Sequence, residues 1–324
     1  MNIFEKRKNV KPDHYPHLYQ YVDAAHQSFW KPDDFTYSKD VYDYKNNFTD
    51  FERQVVARSS LGISLVENKV KKFYAHLDQR MPPPEVADVA HTIAAQEVIH
   101  KLSYEKIIIL LGLEEDFFNI SGISCMKGRI DYLSKYSEGV KSRSNKEFLK
   151  SLILFTLMVE NSSLFSQFLI LSSFYKYTNR LENFSSVVTS TSKEETLHAQ
   201  FGAELIKIIK QENPGWFDKD LEDKVRRNCR KAYEAESGLL DWIYEGGDLG
   251  FLPKESVREY LKSRFNAGLQ MIGYAPEYEV DDKLLEPTDY FETMTENTIA
   301  FDFFNTISSD YNNRKVNIDE DWDF

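Results

Sequence analysis

The segment 149–174 reads LKSLILFTLMVENSSLFSQFLILSSF, and its apolar residues cover most of the circumference of a helix. A helix that is apolar on nearly every side has to be surrounded by other helices. Only 13 Gly and 10 Pro interrupt the 324 residues, and the stretches between them carry helical rather than alternating periodicity. The sequence therefore predicts an all-α fold built around a buried core helix.

Seven helices are expected from this periodicity. They are predicted at 48–78, 84–112, 124–136, 146–178, 185–211, 217–243 and 253–273. The run from Met81 to Pro84 separates the first two, because proline is tolerated at a helix start but not inside a helix. A chain of this length can bury one continuous core, so one large helical domain is expected.

Composition limits the range of partners. The formal net charge of −12 disfavours binding to nucleic acid or anionic lipid. No apolar run reaches the roughly 18 residues that span a membrane, and the N-terminus lacks the apolar region of a signal peptide. Cys125 and Cys229 are too few for a disulfide framework and are expected to be free, buried thiols. A cytoplasmic protein is the expectation.

One acidic residue stands in the middle of the apolar segment. Glu160 is surrounded in sequence by Val159, Leu164 and Phe165, and an isolated ionised carboxylate there costs several kcal/mol unless it is paired or bound to a metal. Glu67 raises the same problem, because it follows an apolar stretch on another predicted helix. Both carboxylates need a partner inside the core.

Two Glu-x-x-His motifs, which begin at Glu97 and Glu195, lie within predicted helices. Positions i and i+3 share a helix face, so the carboxylate and imidazole of each motif can reach one site. With Glu67 and Glu160 they supply four carboxylates and two imidazoles from four helices. This is the ligand set of dinuclear iron and manganese proteins built on ferritin-like helical bundles.

Hard oxygen donors with one nitrogen per metal suit iron or manganese, whereas a structural zinc site would use Cys or more His. The alternative is that the motif residues lie on helix surfaces while Glu67 and Glu160 form buried salt bridges. The sequence alone leaves both possibilities open, although the occurrence of all six residues at suitable positions on four predicted helices favours the metal site.

The C-terminal stretch 308–324 is polar and acidic until Trp322 and Phe324. It has no apolar face to bury, so it is predicted to be a mobile docking tail. We therefore expect a ferritin-like helical domain at 1–305, including an N-terminal arm, and a flexible C-terminal docking tail at 306–324.

Four motifs stand in a fixed order along the chain. The first is FWKP at 29–32, and the second places Tyr104 four residues after His100. The third is the run from Glu194 to His198, and the fourth is the acidic, aromatic ending at 319–324. In this order they resemble the tryptophan motif, the two metal-ligand motifs and the docking tail of the small subunit of class I ribonucleotide reductase. The resemblance covers nearly the whole chain.

The resemblance implies two metal ions per chain, manganese or iron. One ion would be held by Glu67, Glu97 and His100 and the other by Glu160, Glu195 and His198, with Glu97 and Glu195 as bridges. Tyr104 would lie close to the metals in an apolar pocket that includes Leu164 and Phe168, two residues that core packing alone would also explain. The site would generate a strong one-electron oxidant.

The resemblance also implies that this oxidising equivalent travels to a large subunit, where a thiyl radical starts the reduction of ribonucleotides to deoxyribonucleotides for DNA replication. Trp30, linked through Glu194 to His100, would accept the oxidising equivalent from the metals, and Tyr311 in the tail would pass it across the interface. For Trp30 the plain alternative is a core-packing indole. The family resemblance further implies a homodimer.

Two departures from the family's usual pattern bear on the metal. Glu67 stands where members that store a tyrosyl radical commonly have Asp, and Glu194 stands where Asp is common before the second bridging carboxylate. Both resemble members whose oxidant stays on the metals, often with manganese. A dimanganese centre is therefore favoured over iron, and Tyr104 need not carry the radical.

Two other functions could use the same ligands. A stand-alone carboxylate-bridged oxidase or oxygenase needs neither a docking tail nor Trp30. A metal-storage protein of the ferritin type is normally shorter and forms a hollow cage. A requirement for the last residues in activity with a large subunit would separate the reductase from both alternatives.

Overall fold

The computed structural model describes residues 2–9, 11–142 and 144–296. Within these ranges every regular element is helical, apart from one isolated antiparallel bridge between Leu249 and Leu252. The predicted all-α class is thereby confirmed. The predicted tail at 306–324, with Tyr311, Trp322 and Phe324, lies outside the described residues.

Short 3-10 turns join the helices of this part of the chain. The helices are α1 Tyr19–Gln27, α2 Ser38–Asn46, α3 Asp50–Tyr74, α4 Pro84–Leu111, α5 Glu114–Asn119, α6 Ser124–Ser137, α7 Asn145–Leu154, a π-helix Phe155–Ser163, α8 Phe165–Thr178, α9 Glu182–Glu212, α10 Lys219–Ile243, α11 Lys254–Met271, α12 Asp282–Leu285 and α13 Asp289–Glu296. Six of the seven predicted helices are confirmed, with ends shifted by a few residues.

Local sequence fixes the ends of α3 and α4. A capping box starts α3, because Thr49 Oγ1 accepts from Glu52 N at 3.2 Å and Glu52 Oε2 accepts from Thr49 N at 2.8 Å. Helix α4 begins at Pro84 and ends before Gly112, whose φ of 73° is a left-handed conformation that glycine adopts without strain. These are the two helices on which the first three predicted ligands lie.

The remaining predicted helix, the fourth at 146–178, is wrong as a single α-helix. It is made of α7, the π-helix and α8. In the π-helix the hydroxyl of Ser162 donates to the carbonyl of Leu157 at 2.8 Å, and that of Ser163 donates to Met158 in the same way, five residues back. A segment that is apolar all round has no periodicity that could reveal a widened turn.

The core is a bundle of four helical rods, which are α3, α4, the segment formed by α7, the π-helix and α8, and α9. Helix α3 packs against α4, α8 packs against α9, and α9 also contacts the π-helix and α4. Helix α11 covers the π-helix and α8 from outside, and α10 packs on α6 and α11. Helices α1 and α2, which are absent from the predicted set, have nine residues each and pack on α4 and α9. These two helices flank Trp30.

The central segment Asn145–Thr178 is long and apolar enough to cross a membrane by length and composition. Its most apolar window is nevertheless completely buried inside the protein, where α3, α9 and α11 surround it. This burial confirms the predicted core helix.

Candidate metal centre

Four rods of the bundle bring the six predicted ligand residues together. Glu67 lies on α3, Glu97 and His100 on α4, Glu160 on the π-helix, and Glu195 and His198 on α9. All six side chains are buried, with at most 1% of each residue exposed. Their donor atoms form two groups, each with its atoms within 4.8 Å of one another, and Glu97 and Glu195 belong to both groups. Membership of both groups is what a bridging carboxylate requires.

The δ-nitrogens of both histidines face the carboxylates. Nδ1 of His100 lies 3.1 Å from Oε1 of Glu195. Nδ1 of His198 lies 3.0 Å from Oε1 of Glu97 and 3.5 Å from Oε2 of Glu160. The two imidazole centroids are 5.9 Å apart. The rings therefore flank one shared cluster of carboxylates.

Hydrogen-bond partners are missing from this cluster in the described residues. Both oxygens of all four carboxylates and Nδ1 of both histidines lack one. In the same part of the chain these carboxylates have only histidines as ionic neighbours and no Lys or Arg. Buried carboxylates of this kind cost several kcal/mol each unless cations neutralise them. The two motifs therefore do not lie on helix surfaces, and in the described residues Glu67 and Glu160 pair with histidines rather than with Lys or Arg.

Protons and cations compete for this cluster. Burial raises the pKa of the Glu67 and Glu160 carboxyls well above their ordinary value, and neighbouring carboxylates raise it further. For His100 and His198 burial acts in the opposite direction, but the surrounding carboxylates dominate and raise the pKa of both imidazoles. Close polar contacts with Glu160 and both histidines overcome burial at Glu195 and lower its pKa. Binding of metal ions should therefore release protons.

The donor set fits iron or manganese. Each group offers three carboxylates and one imidazole and contains no cysteine. Such hard oxygen donors with a single nitrogen are typical ligands of these two metals. The two cysteines are free, as predicted, with Cys229 buried and Cys125 partly exposed.

Two buried arginines hold the segment that carries Glu160. Nε of Arg264 donates to the carbonyl of Asn161 at 2.9 Å. The guanidinium of Arg129 donates to the carbonyl of Ser163, and also to that of Gly62 on α3 at 2.8 Å. These contacts satisfy carbonyls at the end of the π-helix, where the hydrogen-bond pattern changes. They tie the π-helix to the neighbouring α3 and α11.

The predicted link from Trp30 to His100 is continuous. Oε2 of Glu194 accepts from Nε2 of His100 at 2.7 Å and from Nε1 of Trp30 at 2.9 Å. The indole is 7% exposed and stacks on the His100 ring at 6.1 Å with an angle of 20°. One carboxylate thus joins the aromatic ring to a predicted ligand.

Tyr104 lies beside the cluster. Its side chain is buried, its ring stacks at 6.4 Å on that of Phe168, and Leu164 is also buried in the core. Burial, followed by the nearby Glu67 carboxylate, raises the pKa of the phenol well above its ordinary value. The hydroxyl interacts with the side chain of Thr191, although the two hydroxyls do not form a hydrogen bond of regular geometry. Tyr311 lies outside the described residues.

Two buried residues beside the cluster were not anticipated from the sequence. Gln96 contacts both Glu194 and His198 through its amide. Tyr74, on α3, lies with its ring 5.7 Å from that of His198 and has a buried hydroxyl. The available signal was spacing, because Gln96 precedes His100 by four residues and Tyr74 follows Glu67 by seven, so each shares a helix face with a predicted ligand.

Comparison with known families settles the wider identity. The family model described as "Ribonucleotide reductase, small chain" matches residues 7–285. The chain belongs to this ribonucleotide reductase small-chain family. It is similar to the probable ribonucleoside-diphosphate reductase small subunit of Invertebrate iridescent virus 3, with 23% identity over 339 residues that cover 99% of this chain and 88% of that protein. The predicted small subunit of ribonucleoside-diphosphate reductase is thereby confirmed.

Solved structures of this family share the fold. The R2 subunit from Clostridium botulinum matches with a TM-score of 0.76 and 18% identity, covering 91% of this chain and 94% of that one. The dimanganese(II)-NrdF of Streptococcus sanguinis matches with a TM-score of 0.75 and 17% identity, covering 89% and 99%. These similarities confirm the ferritin-like helical fold.

The fold alone does not separate a reductase subunit from an oxidase. An R2-like ligand-binding oxidase with a Mn/Fe cofactor matches with a TM-score of 0.69 and 19% identity, covering 80% of this chain and 94% of that one. The small-chain family model and the reductase relative decide between them in favour of the reductase.

Proposed function

We propose that this small subunit binds two metal ions in the buried cluster, through the six residues that the sequence predicts as ligands. The observation that carries the proposal is the convergence of four carboxylates and two imidazole Nδ1 atoms in one fully buried place, where no described Lys or Arg pairs with the carboxylates. Glu97 and Glu195, which belong to both donor groups, would be shared between the two ions. When bound, the metal pair supplies the one-electron oxidant that starts ribonucleotide reduction on the large subunit.

The side chains around the cluster orient the ligands and carry the oxidising equivalent outwards. Glu194 holds His100 and Trp30 by hydrogen bonds of 2.7 and 2.9 Å, so a single carboxylate can accept the indole proton while the ring is oxidised. The buried aromatic rings around Tyr104 keep water from the cluster. Tyr311 then passes the equivalent to the large subunit.

Manganese is the proposed metal. Support comes from Glu67 and Glu194, which resemble family members with a metal-centred oxidant, and from the match to a dimanganese(II) protein of the same fold. Iron remains chemically suited to the same donors. In this proposal Tyr104 shields the cluster and holds no stable radical.

The proposed partner is the large, catalytic subunit of ribonucleotide reductase. The chain divides into a helical domain at 1–305 and a docking tail at 306–324, and the aromatic residues Trp322 and Phe324 anchor the tail. Aromatic anchors in an otherwise acidic and polar segment are typical of peptides that order on binding. The pair works in the cytoplasm and supplies deoxyribonucleotides for DNA replication.

We also propose a homodimer that pairs through α4. Val98, Leu102 and Ile109 are 41%, 48% and 61% exposed on one face of this helix. An apolar stripe of this kind favours pairing with a second copy of the chain. Leu102→Glu should produce monomers in analytical ultracentrifugation, whereas Phe118→Glu, a change at an 86% exposed position on α5, should leave the dimer intact. A monomeric wild-type protein would contradict the proposal.

The test of the metal site is metal content. Glu160→Ala and His198→Ala should each bind clearly fewer than two ions per chain and lose turnover with the large subunit. Glu204→Ala, on α9 but outside the cluster, is the matched control and should keep the wild-type content. Full occupancy in both cluster variants would show that these residues are not ligands.

A stand-alone oxidase is the second candidate, because the oxidase named above shares the fold. It predicts activity without a large subunit and no need for the last residues of the chain. Removal of 315–324 should abolish turnover of the reductase while leaving the metal content unchanged. Activity that survives both the truncation and the omission of the large subunit would favour the oxidase.

A further inference from the structure

Gln96 is 4% exposed and contacts Nε2 of His198, whose other ring nitrogen, Nδ1, faces the carboxylates. Its Nε2 atom lies 2.7 Å from Oε1 of Glu194, and its Oε1 atom lies 3.1 Å from Nε2 of His198. The other oxygen of Glu194 accepts from Nε2 of His100 at 2.7 Å. A hydrogen-bonded chain therefore runs from His198 through Gln96 and Glu194 to His100.

We infer that Gln96 is a positioning residue that orients both metal-binding histidines at once and thereby links the two metal sites. The inference rests on the metal-binding function proposed above. It concerns the residues that hydrogen-bond to Nε2 of each imidazole, the ring nitrogen that faces away from the cluster.

The direction of every bond in this chain is determined by chemistry. A carboxylate oxygen only accepts, so the amide NH2 of Gln96 has to point at Glu194. The amide oxygen of Gln96 then faces His198, and because this oxygen also only accepts, Nε2 of His198 has to carry the hydrogen. In a neutral imidazole this leaves the lone pair on Nδ1, the nitrogen that faces the carboxylates.

The same logic applies to His100, whose Nε2 hydrogen is held by Glu194. Both rings thus present Nδ1 to the cluster, and one amide connects the groups that hold them. In the described part of the chain, Nε2 of His198 makes its hydrogen bond to Gln96. Glu194 is additionally held by Trp30 at 2.9 Å. The loss of Gln96 should therefore weaken the binding of the metal ion at His198 more than the binding of the ion at His100.

Outer partners of this kind typically contribute about 10- to 100-fold to metal affinity. Gln96→Met keeps a long unbranched side chain but removes both hydrogen bonds. Gln96→Asn keeps the amide on a side chain one methylene shorter, which cannot span Glu194 and His198 together. We expect both variants to bind at least one Mn²⁺ ion about 10- to 100-fold more weakly than the wild type.

The experiment titrates the full-length, metal-free protein with Mn²⁺ and counts the free ions by electron paramagnetic resonance. Ser173→Ala is the matched control, since it removes a buried hydroxyl whose hydrogen bond stays within its own helix, to Ile170 at 2.6 Å. This control variant should bind both Mn²⁺ ions with the same affinities as the wild type. Thermal unfolding of each metal-free variant separates a general loss of stability from a loss of metal affinity.

The outcomes are distinct. A wild-type protein that binds two Mn²⁺ ions, with variants that lose affinity for one or both, supports the inference. Variants that melt at a lower temperature but keep both affinities give Gln96 a packing role only and overturn it. If Gln96→Met does not fold, Gln96→Asn decides the question by the same titration. A wild-type chain that binds no Mn²⁺ would instead overturn the proposed function.

Discussion

Gly202 on α9 stands so close to Thr156 in the π-helix that a Cβ atom on the glycine would overlap the threonine side chain. Gly202 follows His198 by four residues, so this contact lies one helical turn from a proposed ligand. Thr156 precedes Glu160 by the same number of residues. The close approach therefore sets the distance between two rods that contribute to one donor group.

Gly202→Ala should reduce the free energy of unfolding by about 1–3 kcal/mol, because the added methyl group forces α9 and the π-helix apart. Urea unfolding of the metal-free protein measures the loss. Gly238→Ala is the matched control, since nothing lies within 4 Å of the methyl group that it adds to α10. Alanine there should be neutral or slightly stabilising. Equal stability of the two variants would refute the steric argument.

Arg129→Met should reduce the free energy of unfolding by about 3–5 kcal/mol, the usual cost of leaving a buried carboxylate without its partner. Nε of Arg129 pairs with Glu236 at 2.9 Å, and both side chains are completely buried. The double variant with Glu236→Met should recover part of the loss, because the uncompensated charge is gone. A single variant as stable as the wild type would show that the pair is not needed.

The stability of the metal-free protein should fall as pH rises. The carboxyls of Glu67 and Glu160 and the imidazoles of His100 and His198 have pKa values raised above the ordinary 4.5 and 6.5. A raised pKa in the folded state contributes stability below the unfolded value, and this stability is lost as pH rises through the folded value. Glu195 has the opposite sign, because its lowered pKa contributes stability above pH 4.5, and this contribution is lost as pH falls below that value.

Melting temperatures in a chelator should therefore decrease from about pH 5.5 to about pH 8.5. Saturating Mn²⁺ should reverse this trend, since cations bind better as protons leave. The control is Glu160→Gln, which removes one group with a raised pKa and should flatten the slope in the chelator. A wild-type protein that becomes more stable with pH in the chelator would contradict the proposed origin of the shifts.

Much of the site was predictable from the sequence because its chemistry is unusual. Glu160 stands out since a carboxylate in an apolar helix demands a partner, and the two Glu-x-x-His motifs supply that partner at helical spacing. Gln96 was not predictable in this way, because a neutral polar residue on a helix is normally assigned to the surface. Its role depends on Glu194 and His198, which are about 100 residues away along the chain.

The fold was predictable to a similar degree. Long helices with clear caps, such as α3 and α4, were recovered, whereas α1 and α2 were missed because nine residues carry little periodic signal. The π-helix was missed because the residues around it are apolar on every face, so no phase shift is visible in the pattern.

A synthetic peptide of residues 315–324 should compete with the intact chain for the large subunit and inhibit turnover. The acidic segment supplies no apolar face of its own, so Trp322 and Phe324 provide the binding energy. The control peptide carries alanine at both aromatic positions and should not inhibit. If a large excess of the native peptide leaves turnover unchanged, the tail is not the docking element.

Tyr104→Phe should keep substantial activity with the large subunit if the oxidant resides on the metals. The change removes a buried hydroxyl that makes no regular hydrogen bond and interacts only weakly with Thr191, so the fold should tolerate it. Electron paramagnetic resonance of the active wild type should then show a metal-coupled or silent spectrum. A sharp tyrosyl signal that disappears together with turnover in the variant would assign the radical to Tyr104.

The all-round apolar character of the central segment has a consequence for its rotation about its own axis. Adding or removing one residue in a helix turns everything beyond it by about 100°. Apolar side chains on every face would fill the core at any of these angles, so hydrophobic contact alone selects none of them. The angle is constrained by the close fit of Thr156 against Gly202 and by directional contacts at the end of the π-helix, from Arg264 to Asn161 and from Arg129 to Ser163. The direction in which the Glu160 carboxylate points thus depends in part on two arginines that lie on other helices.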